Sequence, residues 1–226
     1  MHPSLARIGL VLLASLLSAG VGAAQTCSIT AANGDYGNVD ILSGATDDTT
    51  ATFSVSCSGN ANSTVRLCIE FSPGQTTSGQ RRLASGTYRL LHELYADSAR
   101  TVVWGSWGLS STAYGTAGQQ YDLALNASGS GTANFTVYGR VWANQQTAGP
   151  GTYSWTMSTA PTIEYAYKTA TACPTGTIQA TSGGSAWAAT IANNCIISAS
   201  SLNFGSTAST ISSNIDATGT ISVQCT

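Results

Sequence analysis

Histidine is the first residue type to test for catalysis, because its side chain titrates near neutral pH and also binds metals. The chain has two histidines, His2 and His92. His92 begins the stretch "HELYA", which starts like the zinc-binding motif HExxH, but Ala96 stands where the second histidine is required. A Ser–His–Asp triad would have to use His92, and no serine stands in the GxSxG pattern of a nucleophile elbow. We therefore interpret His92 as a structural residue of a strand or turn.

Acidic residues offer two other kinds of chemistry. A facing pair of carboxylates could hydrolyse glycosidic bonds, but the pattern places most glutamates and aspartates in turns or on outward faces. The stretch "NGDYGNVD" at 33–40 offers oxygen ligands for calcium, yet Gly37 occupies the third ligand position and Gly44 the place of the closing glutamate. The sequence thus predicts a protein that is not an enzyme, with no cofactor and no bound metal.

The aromatic residues of "VVWGSWGLSSTAYG", at 102–115, indicate binding rather than catalysis. Trp104 is expected in the core, whereas Trp107, Leu109 and Tyr114 fall where a loop is expected. Large apolar groups in a loop reduce solubility unless a partner covers them. We predict that these three residues belong to a loop that contacts a hydrophobic surface or stacks on a sugar ring. Packing inside the protein is the alternative interpretation.

The elements that would carry this loop are strands. "VRLCIEF" at 65–71 alternates, with Val65, Leu67, Ile69 and Phe71 on one face. Many such short runs, separated by turns rich in Gly, Ser and Asn at intervals of about ten residues, predict an all-β protein with an antiparallel β-sandwich. The stretch "RLLHELYAD" also fits a short helix.

Two parts of the chain repeat one pattern. In 27–57 and again in 195–225, a cysteine is followed nine positions later by an aromatic–glycine pair and 30 positions later by a second cysteine. The last strand reads "TATFSVSC" in the first copy and "TGTISVQC" in the second. Agreement of cysteine spacing, aromatic–glycine position and alternation indicates an internal repeat.

The six cysteines predict three disulfides. An even cysteine count in an exported chain indicates disulfide bonds, and the absence of CxxC argues against zinc. Equal spacing in the two copies pairs Cys27 with Cys57 and Cys195 with Cys225. Cys68 and Cys173 are then paired by elimination.

The N-terminus and the charge indicate an exported protein. Residues 1–24 contain one Arg, an apolar run and small residues up to Ala24, which predicts a signal peptide and no membrane insertion of the mature chain. The formal net charge is −2 and only 8% of residues are charged, which argues against nucleic acid or anionic membrane as partners.

The repeat and the composition predict a domain plan. Residues 25–168 would form a first sandwich, 169–194 a linker rich in small residues, and 195–226 the N-terminal fragment of a second, similar domain. Two or three strands bury too little apolar surface to fold alone. We therefore expect the second copy to be cut short and the sequence to be a partial gene product.

These residues together resemble the spore coat protein U domain, the subunit family of archaic chaperone–usher pili. The resemblance rests on the opening cysteine with its aromatic–glycine pair (Tyr36-Gly37, Phe204-Gly205), the strand "TxTxSVxC", Arg82-Leu83, "LYAD" followed by "VWG", and "PGTYS". It covers most of 27–168 and all of 195–226.

The resemblance implies a fold and a mechanism. Domains of this family are immunoglobulin-like sandwiches that lack a final strand. A periplasmic chaperone fills the gap, and an extension of the neighbouring pilus subunit replaces it at the outer-membrane usher. A tandem pair of such domains resembles the two-domain tip subunit.

The expected function is therefore structural and adhesive. The chain would be secreted through the periplasm to a cell-surface pilus and would bind an abiotic or host surface, as in biofilms, through loops of its first domain. A free secreted β-sandwich lectin or carbohydrate-binding module is the alternative.

Overall fold

A computed structural model describes residues 24–72, 80–108, 114–115, 117–157, 161–168, 172–173 and 179–226. The predicted signal peptide lies outside the described residues, apart from Ala24. All regular structure in the described part is β. The strands are β1 (Thr26–Ile29), β2 (Gly34–Asn38), β3 (Asp47–Ser58), β4 (Thr64–Glu70), β5 (Arg82–Ser85), β6 (Tyr88–Tyr95), β7 (Gln119–Ala124), β8 (Ser130–Val141), β9 (Gly151–Met157), β10 (Thr162–Tyr167), β11 (Gln179–Ser182), β12 (Ser185–Ile191), β13 (Cys195–Ala199) and β14 (Ile221–Cys225).

The strands form two sheets and a separate hairpin. The larger sheet has the order β1-β3-β8-β6-β5-β9-β12-β2, and the smaller has the order β11-β10-β4-β7. Among the described strands, β13 and β14 pair only with each other. Side chains from both sheets meet in one hydrophobic core. The predicted all-β, largely antiparallel sandwich is confirmed, and "RLLHELYAD" belongs to a strand, β6, rather than to a helix.

The core lies between the sheets, as the alternation in β4 predicts. Val65, Leu67 and Ile69 are fully buried. The ring of Phe71 contacts those of Phe53 and Trp104 with centroids 5.9 and 5.2 Å apart. Buried aromatic pairs of this kind stabilise beyond the area they bury.

The linker prediction is wrong for residues 179–191. β12 pairs with β9 along its whole length, antiparallel, and with β2 in parallel. Trp187 of β12 is buried, and its ring lies so close to Gly34 and Gly139 that a Cβ at either glycine would overlap it. β12 is therefore a strand of the first sandwich. Its alternation of buried Ser, Trp, Ala and Ile is present in "SAWAATI" but is obscured by the small residues around it.

The structure contains three disulfides, Cys27–Cys57, Cys68–Cys173 and Cys195–Cys225. These are the pairs expected from spacing and elimination. Cys68 lies on the face of β4 opposite the core but is buried, because Cys173 covers it. The backbone N–H of Cys173 also donates to Gln120 Oε1 at 3.0 Å.

Candidate functional site

The described residues of 102–118, here called the aromatic segment (102–108, 114–115 and 117–118), follow a turn that Asp97 organises. The Asp97 carboxylate accepts hydrogen bonds from the backbone N–H groups of Val102 at 2.7 Å and Thr101 at 2.9 Å. These bonds, that of Val102 first, hold the pKa of Asp97 below its ordinary value. The backbone N–H of Trp104 then donates to the Leu94 carbonyl at 2.9 Å, so that this part of the aromatic segment runs back along β6.

A buried arginine holds the start of the aromatic segment. Arg81 is fully buried and forms an ion pair with Glu93. Its guanidinium also donates to the carbonyls of Phe71 at 2.7 Å, Trp104 at 2.9 Å and Ser72 at 3.3 Å. A buried charge is tolerated only when it is paired and hydrogen-bonded. Arg81 therefore connects β6, the residues that follow β4 and the aromatic segment through its ion pair and hydrogen bonds.

Tyr114 completes this buried cluster. Its hydroxyl donates to Glu93 Oε2 at 2.5 Å, and the Arg81 guanidinium lies 4.4 Å from its ring centroid. Burial, and then the charge of Glu93, raise the pKa of Tyr114 well above its ordinary value. Tyr114 is thus an internal anchor, and the prediction that its ring contacts an external surface is wrong because the ring is covered.

A second buried carboxylate, that of Glu70, holds the middle of the aromatic segment. Glu70 Oε2 accepts from Ser106 Oγ at 2.9 Å, Trp107 N at 2.9 Å and Gly108 N at 3.1 Å. The half-buried Trp107 ring lies against Gly118, where a Cβ would come within 2.5 Å of it. Leu109 lies outside the described residues, so the structure places only Trp107 and Tyr114 of the three predicted contact residues.

Arg81 and Glu70 are site residues that the sequence reasoning missed. Arg81 stands in "QRRL" beside Arg82, and nothing in the pattern marks which arginine is buried. Glu70 was expected to face outward because it alternates with the core residues of β4. One feature of the sequence could have indicated a buried carboxylate, namely the absence of charged residues from 102–115. A segment of this kind can cover a carboxylate and supply it with N–H donors.

His92 is part of the core. Its Nδ1 lies 3.2 Å from the Tyr36 hydroxyl, and its ring contacts those of Trp155 and Trp187. Burial, and then the positive charge of Arg81, lower the pKa of His92 to about 3. The described residues contain no group of three or more His, Cys, Asp and Glu that could hold a metal ion. Within the same part of the chain, no helix is long and apolar enough to span a membrane.

The two copies of the sequence repeat share the register of their disulfides and the conformation of one glycine. Cys27 and Cys57 are direct cross-strand partners in β1 and β3, as Cys195 and Cys225 are in β13 and β14, with Cα atoms 4.1 Å apart in both pairs. In each copy the glycine of the aromatic–glycine pair donates its N–H at 2.8 Å to a side-chain oxygen two residues earlier and has a positive φ, 67° for Gly37 and 73° for Gly205. Gly37 belongs to strand β2, whereas Gly205 belongs to no strand.

The two copies differ in burial. Phe53 and Val55 of β3 are 2% and 0% exposed, whereas Ile221 and Val223, which take the same places in β14, are 72% and 59% exposed. The aromatic residue before the glycine differs in the same way, since Tyr36 is buried and Phe204 is exposed. The hairpin therefore presents to solvent the side chains that the first copy uses as core.

Comparison with known families accounts for both copies. A model of the Spore Coat Protein U domain matches residues 13–160 and 175–226. The chain belongs to the spore coat protein U domain family. The matched ranges include the first sandwich except β10, the closing strand β12 and the hairpin.

Two solved structures align with the chain at low identity. One is the CsuC–CsuE chaperone–tip adhesion subunit pre-assembly complex from the archaic chaperone–usher Csu pili of Acinetobacter baumannii, with 15% identity, a TM-score of 0.45, and coverage of 88% of this chain and 70% of that one. The other is the CupB6 tip adhesin from Pseudomonas aeruginosa, with 14% identity, a TM-score of 0.36, and coverage of 72% of this chain and 40% of that one. A search of curated proteins found no match.

The residues that carry the spore coat protein U resemblance have structural roles in this chain. Leu83 and Leu94 are fully buried, and Trp104 is nearly so. Tyr153 of "PGTYS" is buried and donates its hydroxyl to the Gly149 carbonyl at 2.6 Å. These positions stabilise the sandwich.

Proposed function

We propose that this protein is a structural and adhesive subunit of a chaperone–usher pilus, exported through the periplasm and acting by binding and strand exchange. Membership of the spore coat protein U domain family supports this class of function. The observation that carries the proposal is the difference in burial between Phe53 and Val55 and their equivalents Ile221 and Val223.

The mechanism follows from how each copy is closed. The first sandwich uses its own strand β12, which fills the position between β9 and β2. Residues 195–226 are the N-terminal part of a second domain, and a strand from another polypeptide completes that domain. A periplasmic chaperone supplies the strand first, and a neighbouring pilus subunit replaces it at the outer-membrane usher. Added strands bind through main-chain hydrogen bonds and side-chain pockets, and they prevent aggregation through open edges.

The subunit is of the tip type, with the first sandwich as its adhesive domain. A closed sandwich followed by an open one can receive a strand only through the second, which suits the end of a fibre. Trp107 of the aromatic segment and the neighbouring Leu109 contribute to the surface that meets an abiotic or host partner. Arg81 and Glu70 hold the segment at Trp104 and at residues 106–108, which lowers the entropy lost on binding.

Site-specific photo-cross-linking tests the strand-exchange mechanism. A photoreactive benzoylphenylalanine is placed at Val223, on the apolar face of β14, or at the adjacent Gln224 as a matched control on the other face. Each variant is expressed with the periplasmic chaperone. The proposal predicts a cross-link to the chaperone at position 223 that is at least several times stronger than at 224. Equal cross-linking at the two positions, or none at either, contradicts it.

A further inference from the structure

Gln25 is buried at one end of the first sandwich, although it directly follows the predicted signal peptide at 1–24. The residue is only 9% exposed. β1 begins at Thr26, and the side chains of Cys27 and Ile29 pack against the core. Because side chains alternate along an extended chain, the side chain of Gln25 is directed to the same inward face as that of Cys27.

The register of β1 and β3 indicates what lies opposite Gln25. Thr26 pairs with Ser58, and the hydroxyl oxygens of these two residues lie 2.8 Å apart on the outward face. One residue further along, Gln25 is opposite Gly59. A Cβ at Gly59 would lie 2.5 Å from the hydroxyl oxygen of Tyr167, which belongs to β10 of the smaller sheet. The Tyr167 side chain therefore closes this end of the sandwich on the face to which Gln25 is directed.

The amide nitrogen of Gln25 is both buried and unpaired. Its Nε2 atom has no hydrogen-bond partner among the residues that the structure describes. A buried N–H group that loses its bonds to water without gaining a protein acceptor destabilises the folded state. Such groups are rare in folded proteins, and each one requires an explanation. The first sandwich would be more stable if this NH₂ group were absent.

We infer that removal of residues 1–24 makes Gln25 the N-terminal residue and that Gln25 then cyclises to pyroglutamate. The α-amino nitrogen attacks the side-chain Cδ, so that an N–Cδ bond forms and the Cδ–Nε2 bond breaks. One proton passes from the α-amine to the leaving group, and Nε2 departs as ammonia. The step requires no oxidant or reductant, and a glutaminyl cyclase accelerates it.

The product fits this position better than the open residue does. Cyclisation removes the unpaired NH₂ group and the charge of the α-ammonium together, and a charge without a partner is costly to bury. The lactam keeps both side-chain methylene groups, one N–H and one carbonyl. Because the reaction needs an accessible amine, it takes place before β1 closes onto β3. The modification depends on export of the chain but not on pilus assembly.

Mass spectrometry of the exported chain tests the modification. The full sequence is expressed in a Gram-negative host with or without a co-expressed periplasmic glutaminyl cyclase, and the protein is purified from the periplasm. With the cyclase, the chymotryptic peptide from Gln25 to Tyr36 should be lighter than the linear peptide by one molecule of ammonia. An isotope-labelled linear peptide, added before digestion, measures any cyclisation that occurs during handling.

Thermal unfolding tests the physical reason for the modification. The cyclised protein should unfold at a temperature at least about 2 °C higher than the open protein, because the buried NH₂ group is gone. Gln25→Ala is the matched control, since this variant cannot form a lactam. Its mass and its unfolding temperature should be the same from the two hosts.

Three results would overturn the inference. The mature chain could begin at another residue, Gln25 could stay open in the presence of the cyclase, or the open and cyclised proteins could unfold at the same temperature. None of these results would change the cross-linking at position 223. Failure of the modification is therefore distinguishable from failure of the pilus mechanism.

Discussion

A few buried charged residues contribute strongly to the stability of this protein. Arg81 and Glu93 form an ion pair inside the sandwich, and among the described residues the further partners of the Arg81 guanidinium are backbone carbonyls and the ring of Tyr114. Removing one member of such a cluster costs more than the bond itself, because the remaining charge stays buried. The aromatic segment is therefore expected to be as stable as the core beneath it.

Replacing Tyr114 by Phe tests this cluster. The change removes the hydrogen bond to Glu93 and leaves the ring, so the free energy of unfolding should fall by about 2 kcal/mol, typical of a hydrogen bond to a charged group. Urea unfolding followed by tryptophan fluorescence measures the change. Tyr88→Phe, at an exposed tyrosine, should alter stability by less than about 0.5 kcal/mol. Equal effects of the two substitutions would show that Tyr114 is not an anchor.

His92 predicts a pH dependence of stability. Its pKa is lowered from an ordinary 6.5 to about 3 in the folded protein, so the unfolded chain binds a proton first as the pH falls. The contribution of neutral His92 to the free energy of unfolding is complete above pH 6.5. It is lost as the pH falls towards 3, by up to about 1.4 kcal/mol per pH unit. The raised pKa values of Asp47 and Glu164 act in the opposite direction near the acidic end.

Unfolding measured between pH 6.5 and 5 isolates this effect, because His92 is the only histidine after residue 2. The wild-type protein should lose stability over this interval. His92→Gln should be less stable at pH 7 but should show a much flatter dependence. A dependence of the same slope in both proteins would assign the titration to another group.

The sequence predicts individual strands better than it predicts which strands pair with each other. The alternation of β4 and the cysteine spacing of the repeat are sufficient to predict strands and disulfides, because both patterns depend on residues close in the chain. The sequence predicts a linker at β12, because the composition of this strand resembles that of a flexible segment and its partners β9 and β2 are distant in sequence. The exposure of Tyr121 could not be predicted for a similar reason. The pattern "YDLAL" indicates which face of β7 points inward, but it does not indicate that β7 lies at the edge of its sheet.

The role of β12 as a closing strand can be measured. Trp187→Ala should lower the free energy of unfolding by about 3–5 kcal/mol, because it removes a large side chain from the core. Trp142→Ala is the control, since Trp142 is 44% exposed, and should change stability by less than about 1 kcal/mol. Comparable small losses for both variants would mean that β12 is a linker after all.

The two equivalent disulfides should differ in their effect on the first sandwich. Replacing Cys27 and Cys57 by Ala should destabilise it by about 3–4 kcal/mol through the freed loop of the unfolded chain. Replacing Cys195 and Cys225 should leave its unfolding unchanged, because the hairpin forms its own sheet. All five tryptophans precede the hairpin, so their fluorescence reports this unfolding. Equal losses would indicate that the hairpin is part of the first sandwich.

At the scale of the whole molecule, one structural unit occurs in two states. The first copy is closed by β12 and buries its apolar positions, whereas the second copy has the same disulfide register and the same glycine conformation but exposes the equivalent positions. Under the proposed function, a strand from another chain covers these exposed positions. In the proposed function, the adhesive role belongs to the first sandwich and the assembly role to the hairpin.

Amide hydrogen exchange of the exported chain, with and without its periplasmic chaperone, tests this assignment most directly. In the chain alone, amides of β13 and β14 should exchange at least about a hundredfold faster than those of β12, because few buried contacts protect them. Chaperone binding should slow exchange in β13 and β14 and leave β12 unchanged. Equal protection of β12 and the hairpin in the chain alone, with no change on adding the chaperone, would contradict the account.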